Sequence, residues 1–206
     1  MIASPTPGTA YPENSSENIP VSLVCEIIDG KPYYYKGFRD VLSGDKTIED
    51  IMGCSPLQSI VIECILGALF EGIDRRKYFI ATNEPGVYLN DRTTLAGDIL
   101  IFERSSVPIT NQYARVPPKI WIEVDLNIEF EKALDVKNYM ALKTQKILDF
   151  GTDKVIWILT KPKKVVIAAN DHTQHTIPWD VEIEIFGGAS YNIGRYVDEN
   201  EPKFFQ

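Results

Sequence analysis

The residues of this chain whose types and spacing could do chemistry are Lys143 and three carboxylates upstream of it, Asp98, Glu123 and Asp125. Advancing about 100° per residue over positions 136–150 places Val136, Tyr139, Met140, Ile147 and Phe150 in one sector, with Lys143 inside it. An ammonium on such a core-facing stripe costs several kcal/mol unless a negative group meets it. The expected partners lie in two strands: Asp98 at the mouth of Ile99-Leu100-Ile101-Phe102, and Glu123 and Asp125 within Ile120-Trp121-Ile122-Glu123-Val124-Asp125-Leu126. Side chains alternate along a strand, so Glu123 and Asp125 are expected on one face, opposite Ile122 and Val124. If the two strands are neighbours, three acids converge beneath the lysine. Hard cations such as Mg²⁺ or Mn²⁺ take oxygen ligands, typically one or two carboxylates completed by water and substrate phosphate. The chemistry expected is therefore metal-dependent phosphodiester cleavage. Asp98 and Glu123 would be the principal ligands, Asp125 a ligand or water-orienting acid, and Lys143 the stabiliser of developing charge. Plainer roles exist: a turn aspartate after Gly97, an edge-strand acid pair, and a lysine that snorkels to solvent. Acid–base hydrolysis without metal is a further option, although two acids side by side on one strand do not straddle a sugar.

Positioning these groups takes a sheet and helices. Residues 21–28 are expected as a strand, turning at Asp29-Gly30 into a second short strand at 33–35. After a polar stretch, Ser55-Pro56 supplies an N-cap and first-turn proline for a helix to about Glu71, apolar nearly all round and hence buried. Strands are expected at 78–81, 87–89, 99–102 and 119–126, then a helix over about 130–150 ending at Gly151. Strands at 155–160, 165–169, 174–177 and 181–186 follow, and the polar end is expected to be loose. The fold class is α/β, a mixed β-sheet flanked by two main helices with an N-terminal β-hairpin extension. One domain is expected over 20–206, after a flexible leader at 1–19 rich in Pro, Ser, Asn, Thr and Gly.

Bulk composition narrows the function classes. No run approaches 18 uninterrupted apolar residues, so no membrane span is expected, and the first 20 residues have neither a basic group nor an apolar core of a secretory signal. Cys25, Cys54 and Cys64 form no Cys-x-x-Cys pair, which argues against a zinc site or disulfide framework and for a reducing cytoplasm. A net charge of −8 argues against a general nucleic-acid coating protein, since such binding rests on Lys and Arg. A nuclease stays open, because site acids add negative charge and local patches persist. Arg75-Arg76-Lys77 and Lys161, Lys163 and Lys164 are candidate patches, or solvated loop charge.

Several other residues are lesser candidates. Glu63, inside an apolar helix, is either an extra metal ligand or a buried acid with a core partner, and Glu71 ends that helix at the surface. His172 and His175 would share a face only in a helix, and a hairpin tip suits them better. Lys146 and Gln145 could contact nucleic acid, with Lys137 on the outer side. Ser55 and Ser59 have no histidine base at a sensible spacing, so triad chemistry is unsupported.

The order of motifs resembles the PD-(D/E)XK nuclease superfamily with its restriction-endonuclease-like core, and in particular its Uma-two branch of bacterial restriction endonucleases. The resemblance covers roughly residues 21–181 and rests on Glu26-Ile27-Ile28-Asp29-Gly30, the helix after Ser55-Pro56, Gly97-Asp98 before its strand, and the Glu123 strand. The helix ending in Lys143-Thr144-Gln145-Lys146 through Gly151, then Val155-Ile156-Trp157-Ile158, completes it. It implies a Mg²⁺- or Mn²⁺-dependent endonuclease acting on DNA, and a possible homodimer for cutting both strands. Departures are specific: Gly97 replaces the family's proline, Asp125 stands where a lysine is usual, Asp125-Leu126-Asn127 replaces a Ser-Pro-Ser run, and the first buried helix has no histidine. In this branch the basic role moves to the following helix, where the apolar stripe independently puts Lys143. A nuclease-fold interaction module without catalysis is the alternative that these departures favour.

Overall fold

In chain order the elements begin with a single 3-10 turn at Val21–Leu23, then β1 (Val24–Ile28), β2 (Lys31–Tyr34), α1 (Phe38–Ser43) and α2 (Pro56–Gly72). Next come β3 (Tyr78–Thr82), β4 (Gly86–Asn90), β5 (Thr93–Ala96), β6 (Ile99–Glu103) and β7 (Ile120–Val124). The chain continues through α3 (Ala133–Phe150), β8 (Lys154–Leu159), β9 (Lys164–Ala169), β10 (Gln174–Pro178), β11 (Ile183–Phe186), β12 (Ala189–Tyr191) and α4 (Ile193–Asn200). This computed structural model describes residues 19–130, 132–171 and 173–200.

A six-stranded sheet in the order β10-β9-β8-β7-β6-β3 forms the centre. Its middle strands are nearly unbroken apolar runs because both of their faces are covered. Even and odd positions part cleanly: Ile120, Ile122 and Val124 of β7 pack with Val61, Ile65 and Leu69 of α2, whereas Trp121 packs with Tyr139 and Ile147 of α3. A second sheet, β2-β1-β5-β4, lies on the α3 side and contributes Ile28, Val87 and Leu95 to that core. The β7–β8 pair is parallel, which requires a crossover, and α3 supplies it. Ser55 Oγ accepts the Gln58 N–H at 3.2 Å with Pro56 in the first turn of α2, and Gly151 ends α3 at φ 114°.

The mixed α/β architecture is the one expected, with several local corrections. The first expected strand starts only at Val24, after the 3-10 turn. The polar stretch before Ser55 holds α1, anchored by buried Phe38 and Ile51. A strand at Thr93–Ala96 was not expected, and it turns the N-terminal hairpin into part of a four-stranded sheet. Of the end expected to be loose, residues 189–200 form β12 and α4, because Ile193 and Val197, four apart, bury beside α2, and residues 201–206 lie outside the described residues. Of the expected leader, residues 1–18 lie outside the described residues, and Ile19 packs partly buried against the α1 cluster. Among the described residues no helix is long and apolar enough to cross a membrane.

Candidate active site

Lys143 is 2% exposed, on the third turn of α3, facing the sheet as its stripe demands. Its ammonium donates to Glu26 Oε1 at 2.5 Å and to the Ala96 carbonyl at 2.9 Å, and pairs with Glu123 Oε1 at 2.7 Å. Three donors thus meet three acceptors, the full capacity of a lysine. The rings of Trp121, Trp157 and Tyr139 surround it, with centroids 5.6–5.9 Å from Nζ. Burial by itself would lower the lysine's proton affinity, but Glu123 and Glu26 outweigh it and hold the group charged well above its usual range.

Glu123 lies on the same β7 face as Trp121, whose indole N–H donates to Glu123 Oε1 at 2.5 Å. Desolvation raises the Glu123 carboxyl well above the ordinary range, against the opposing pull of Lys143. The pairing of Ile99 with Ile122 continues one step to set Asp98 opposite Glu123. Asp98 Oδ2 accepts the Val124 N–H at 2.6 Å, and burial pushes the Asp98 carboxyl up to about 6, with that N–H and Lys143 opposing. Gln58, in the first turn of α2, donates to the Val124 carbonyl at 2.8 Å, so both backbone polar groups of Val124 are held.

Asp125 departs from its expected place. β7 ends at Val124, and Asp125 takes φ 61°, which breaks the alternation that would have put it beside Glu123. Its carboxylate turns to the end of β8, where Oδ1 accepts the Thr160 N–H at 2.7 Å and Oδ2 the Thr160 hydroxyl at 2.6 Å. The structure therefore brings Lys143, Glu123 and Asp98 into one neighbourhood, with Asp125 near enough to raise the Asp98 carboxyl while its own oxygens tie two strand ends together.

Glu26 is the residue that the sequence reading missed as a site member. It is 4% exposed on β1 and accepts from Lys143, the Ala96 N–H at 3.1 Å and the Tyr139 hydroxyl at 2.5 Å. An acid within the apolar run Val24-Cys25-Glu26-Ile27-Ile28 was the available signal, but its lysine partner lies 117 residues away. Glu84 follows Asn83 in a turn where both take positive φ, 69° and 53°. Its carboxyl is raised by partial desolvation and then by Glu26, with Lys143 opposing, which sets it near the cluster.

The other candidates lie elsewhere. Glu63 and Glu71 are exposed on α2, so Glu63 joins neither the site nor the core. His175 is exposed on β10 opposite Ile167, in the strand expected just past the β9–β10 turn, and His172 lies outside the described residues. Lys146 pairs with Asp29 at 2.7 Å, Gln145 with Asp149 at 2.7 Å, and Lys137 is exposed. Arg75 and Lys77 rest on the rings of Phe70 and Tyr78, Arg76 bonds Asp74, and Lys161, Lys163 and Lys164 are exposed around the β8–β9 turn. Gly97 explains the departure from proline: a Cβ there would stand 2.6 Å from Trp121 Nε1, the group that serves Glu123.

Among the described residues no three His, Cys, Asp or Glu side chains stand close enough to hold a metal ion between them. Asp98 and Glu123 nevertheless offer two hard-oxygen groups at the neighbouring ends of two interior strands, a donor set that suits Mg²⁺ or Mn²⁺, which keep several waters. No protein-family profile matches the sequence, and no curated protein matches it. Among solved structures the fold is similar to that of a protein from Anabaena variabilis ATCC 29413 described as a "putative nuclease belonging to DUF820". That likeness has a TM-score of 0.59 at 16% identity and covers 83% of this chain and 88% of the other.

Proposed function

We propose that this chain is a divalent-metal-dependent endonuclease that hydrolyses phosphodiester bonds of DNA. It would belong to the PD-(D/E)XK superfamily in its Uma-two branch, acting as a homodimer where both strands are cut. The observation that supports this best is the buried Lys143 ammonium 2.7 Å from Glu123, with Asp98 across the strand pair, on a fold similar to one named for a nuclease.

Asp98 and Glu123 would hold the cation, and when bound it supplies Lewis acidity toward the phosphate and lowers the pKa of a water. The chain's own groups do the rest. Lys143, fixed in charge by two carboxylates, stabilises negative charge as it develops on the phosphate. Its three protons are all engaged, so a phosphate oxygen must replace one acceptor. Glu26 and Tyr139 keep the ammonium in place during that exchange, while the Val124 N–H orients Asp98.

Cleavage of supercoiled plasmid with Mg²⁺ or Mn²⁺ tests this. Asp98→Asn and Glu123→Gln should each lower the rate by about 100-fold or more, as loss of a group acting in the transition state does. Wild-type protein that binds no Mn²⁺ by calorimetry and leaves DNA intact would overturn the reading. One observation favours the second reading, an inert interaction module on the same fold. The Lys143 ammonium already has all its partners within the chain, as the cation of a purely structural ion network would.

A further inference from the structure

A cleft of about 440 Å³ opens between β2, α1 and the first turns of α3, beside the acid–lysine cluster. Its walls are aromatic. Tyr33, Tyr34 and Phe130 are half-buried, and the Tyr139 ring lies 5.0 Å from Tyr33 and 5.2 Å from Phe130. Exposed Lys31 and Arg39 line it too, with Lys31 Nζ 5.1 Å from the Tyr33 centroid and Arg39 Cζ 5.1 Å from that of Phe38. The two carboxylates that line the cleft have local roles. Glu129 accepts the Gly37 N–H at 2.8 Å, and Asp135 sits in the first turn of α3, where the helix dipole favours negative charge. Tyr139 joins cleft to site, because its hydroxyl bonds the Glu26 carboxylate that holds Lys143.

Aromatic faces beside cations are how proteins hold single-stranded nucleic acid: bases stack, and phosphates meet the charges. The volume lies within the range of small-ligand pockets. A base stacked inside a duplex cannot enter such a cleft without being extruded, so it selects an unpaired nucleotide. We propose that this cleft binds an unpaired nucleotide, its base against Phe130 and Tyr34 and its phosphate toward Lys31 and Arg39, so that the strand continues to Asp98 and Glu123. The proposal rests on the nuclease reading and names its substrate as single-stranded or locally opened nucleic acid.

Fluorescence anisotropy of the full chain in EDTA, with a labelled single-stranded oligonucleotide and its duplex, tests it apart from catalysis. The single strand should bind more tightly than the duplex at equal salt. Phe130→Ala should weaken it by roughly 5- to 100-fold. The double charge reversal Lys31→Glu with Arg39→Glu, at two exposed positions, should weaken it as well and reduce the slope of log affinity against log salt by about 1.4. Preference for duplex, or affinities unchanged in both variants, would overturn the proposal. Binding with this pattern but without metal-dependent cleavage leaves the cleft standing and removes the nuclease reading. Metal-dependent cleavage at wild-type rate in both variants does the reverse.

Discussion

At the scale of the residue, the cluster is governed by how each acid loses water and which partner replaces it. Asp98 has its pKa raised from 3.8 to about 6, chiefly by burial. The folded chain therefore binds a proton there that the unfolded chain has already released. The sign follows: this contribution to stability is complete below about pH 4 and is lost as pH rises through about 6. In metal-free buffer the urea unfolding free energy should fall between those limits by on the order of 1–3 kcal/mol more in wild type than in Asp98→Asn. Parallel pH profiles for the two proteins would show that Asp98 titrates as an ordinary carboxyl. Asp125 is expected to behave differently, since its oxygens serve Thr160 at the end of β8. Asp125→Asn, which keeps a residue tolerant of positive φ, should cost about 1 kcal/mol in stability. Plasmid cleavage should stay within about threefold of wild type, against the collapse expected for Glu123→Gln. An Asp125→Asn protein as inactive as Glu123→Gln would restore Asp125 to the reactive set.

At the scale of the element, the boundaries that local chemistry sets were legible in the sequence. Ser55-Pro56 starts α2 because a hydroxyl can cap free N–H groups where proline needs none, and Gly151 stops α3 because it accepts φ 114° at little cost. Gly151→Ala should therefore destabilise the fold by about 1–2 kcal/mol, since the added Cβ is strained there and stands 3.3 Å from Pro117 Cγ. A chemical melt of the variant measures this, and an unchanged midpoint would remove the argument. The side of α3 that faces inward was equally legible, because a 3.6-residue period shows in any apolar stripe. Elements whose reason lies far along the chain were not. β5 is four residues with no strong pattern and exists because β1 and β4 flank it. α4 is polar on average and stays folded by burying the side chains of Ile193 and Val197 beside α2. The alternation rule misplaced Asp125 because nothing local reveals that β7 ends one residue earlier.

At the scale of the whole molecule, the Lys143 ammonium is a bridge between two sheets. Glu26 comes from the four-stranded sheet, Glu123 from the six-stranded one, and the lysine from the helix between them. Removing one partner of a buried ion group costs about 3–5 kcal/mol, because the charges left behind keep their desolvation without their attraction. Lys143→Met fills the volume but leaves two buried carboxylates facing each other, so that loss is expected in full. Adding Glu26→Gln removes one of the opposed charges, and the double variant should regain part of the loss, a coupling that a double-mutant cycle reads directly. The place of the damage should be as informative as its size. β6, β7 and β8 keep their covered faces in the variant, whereas β1 reaches β5 through a single paired register, Ile27 with Thr94, and is drawn to the rest by Glu26. Amide exchange in Lys143→Met should therefore quicken in β1 and β2 well before it does in β7 and β8. Uniform acceleration across both sheets would show that the molecule opens as one unit and that the buried lysine does not couple separable layers.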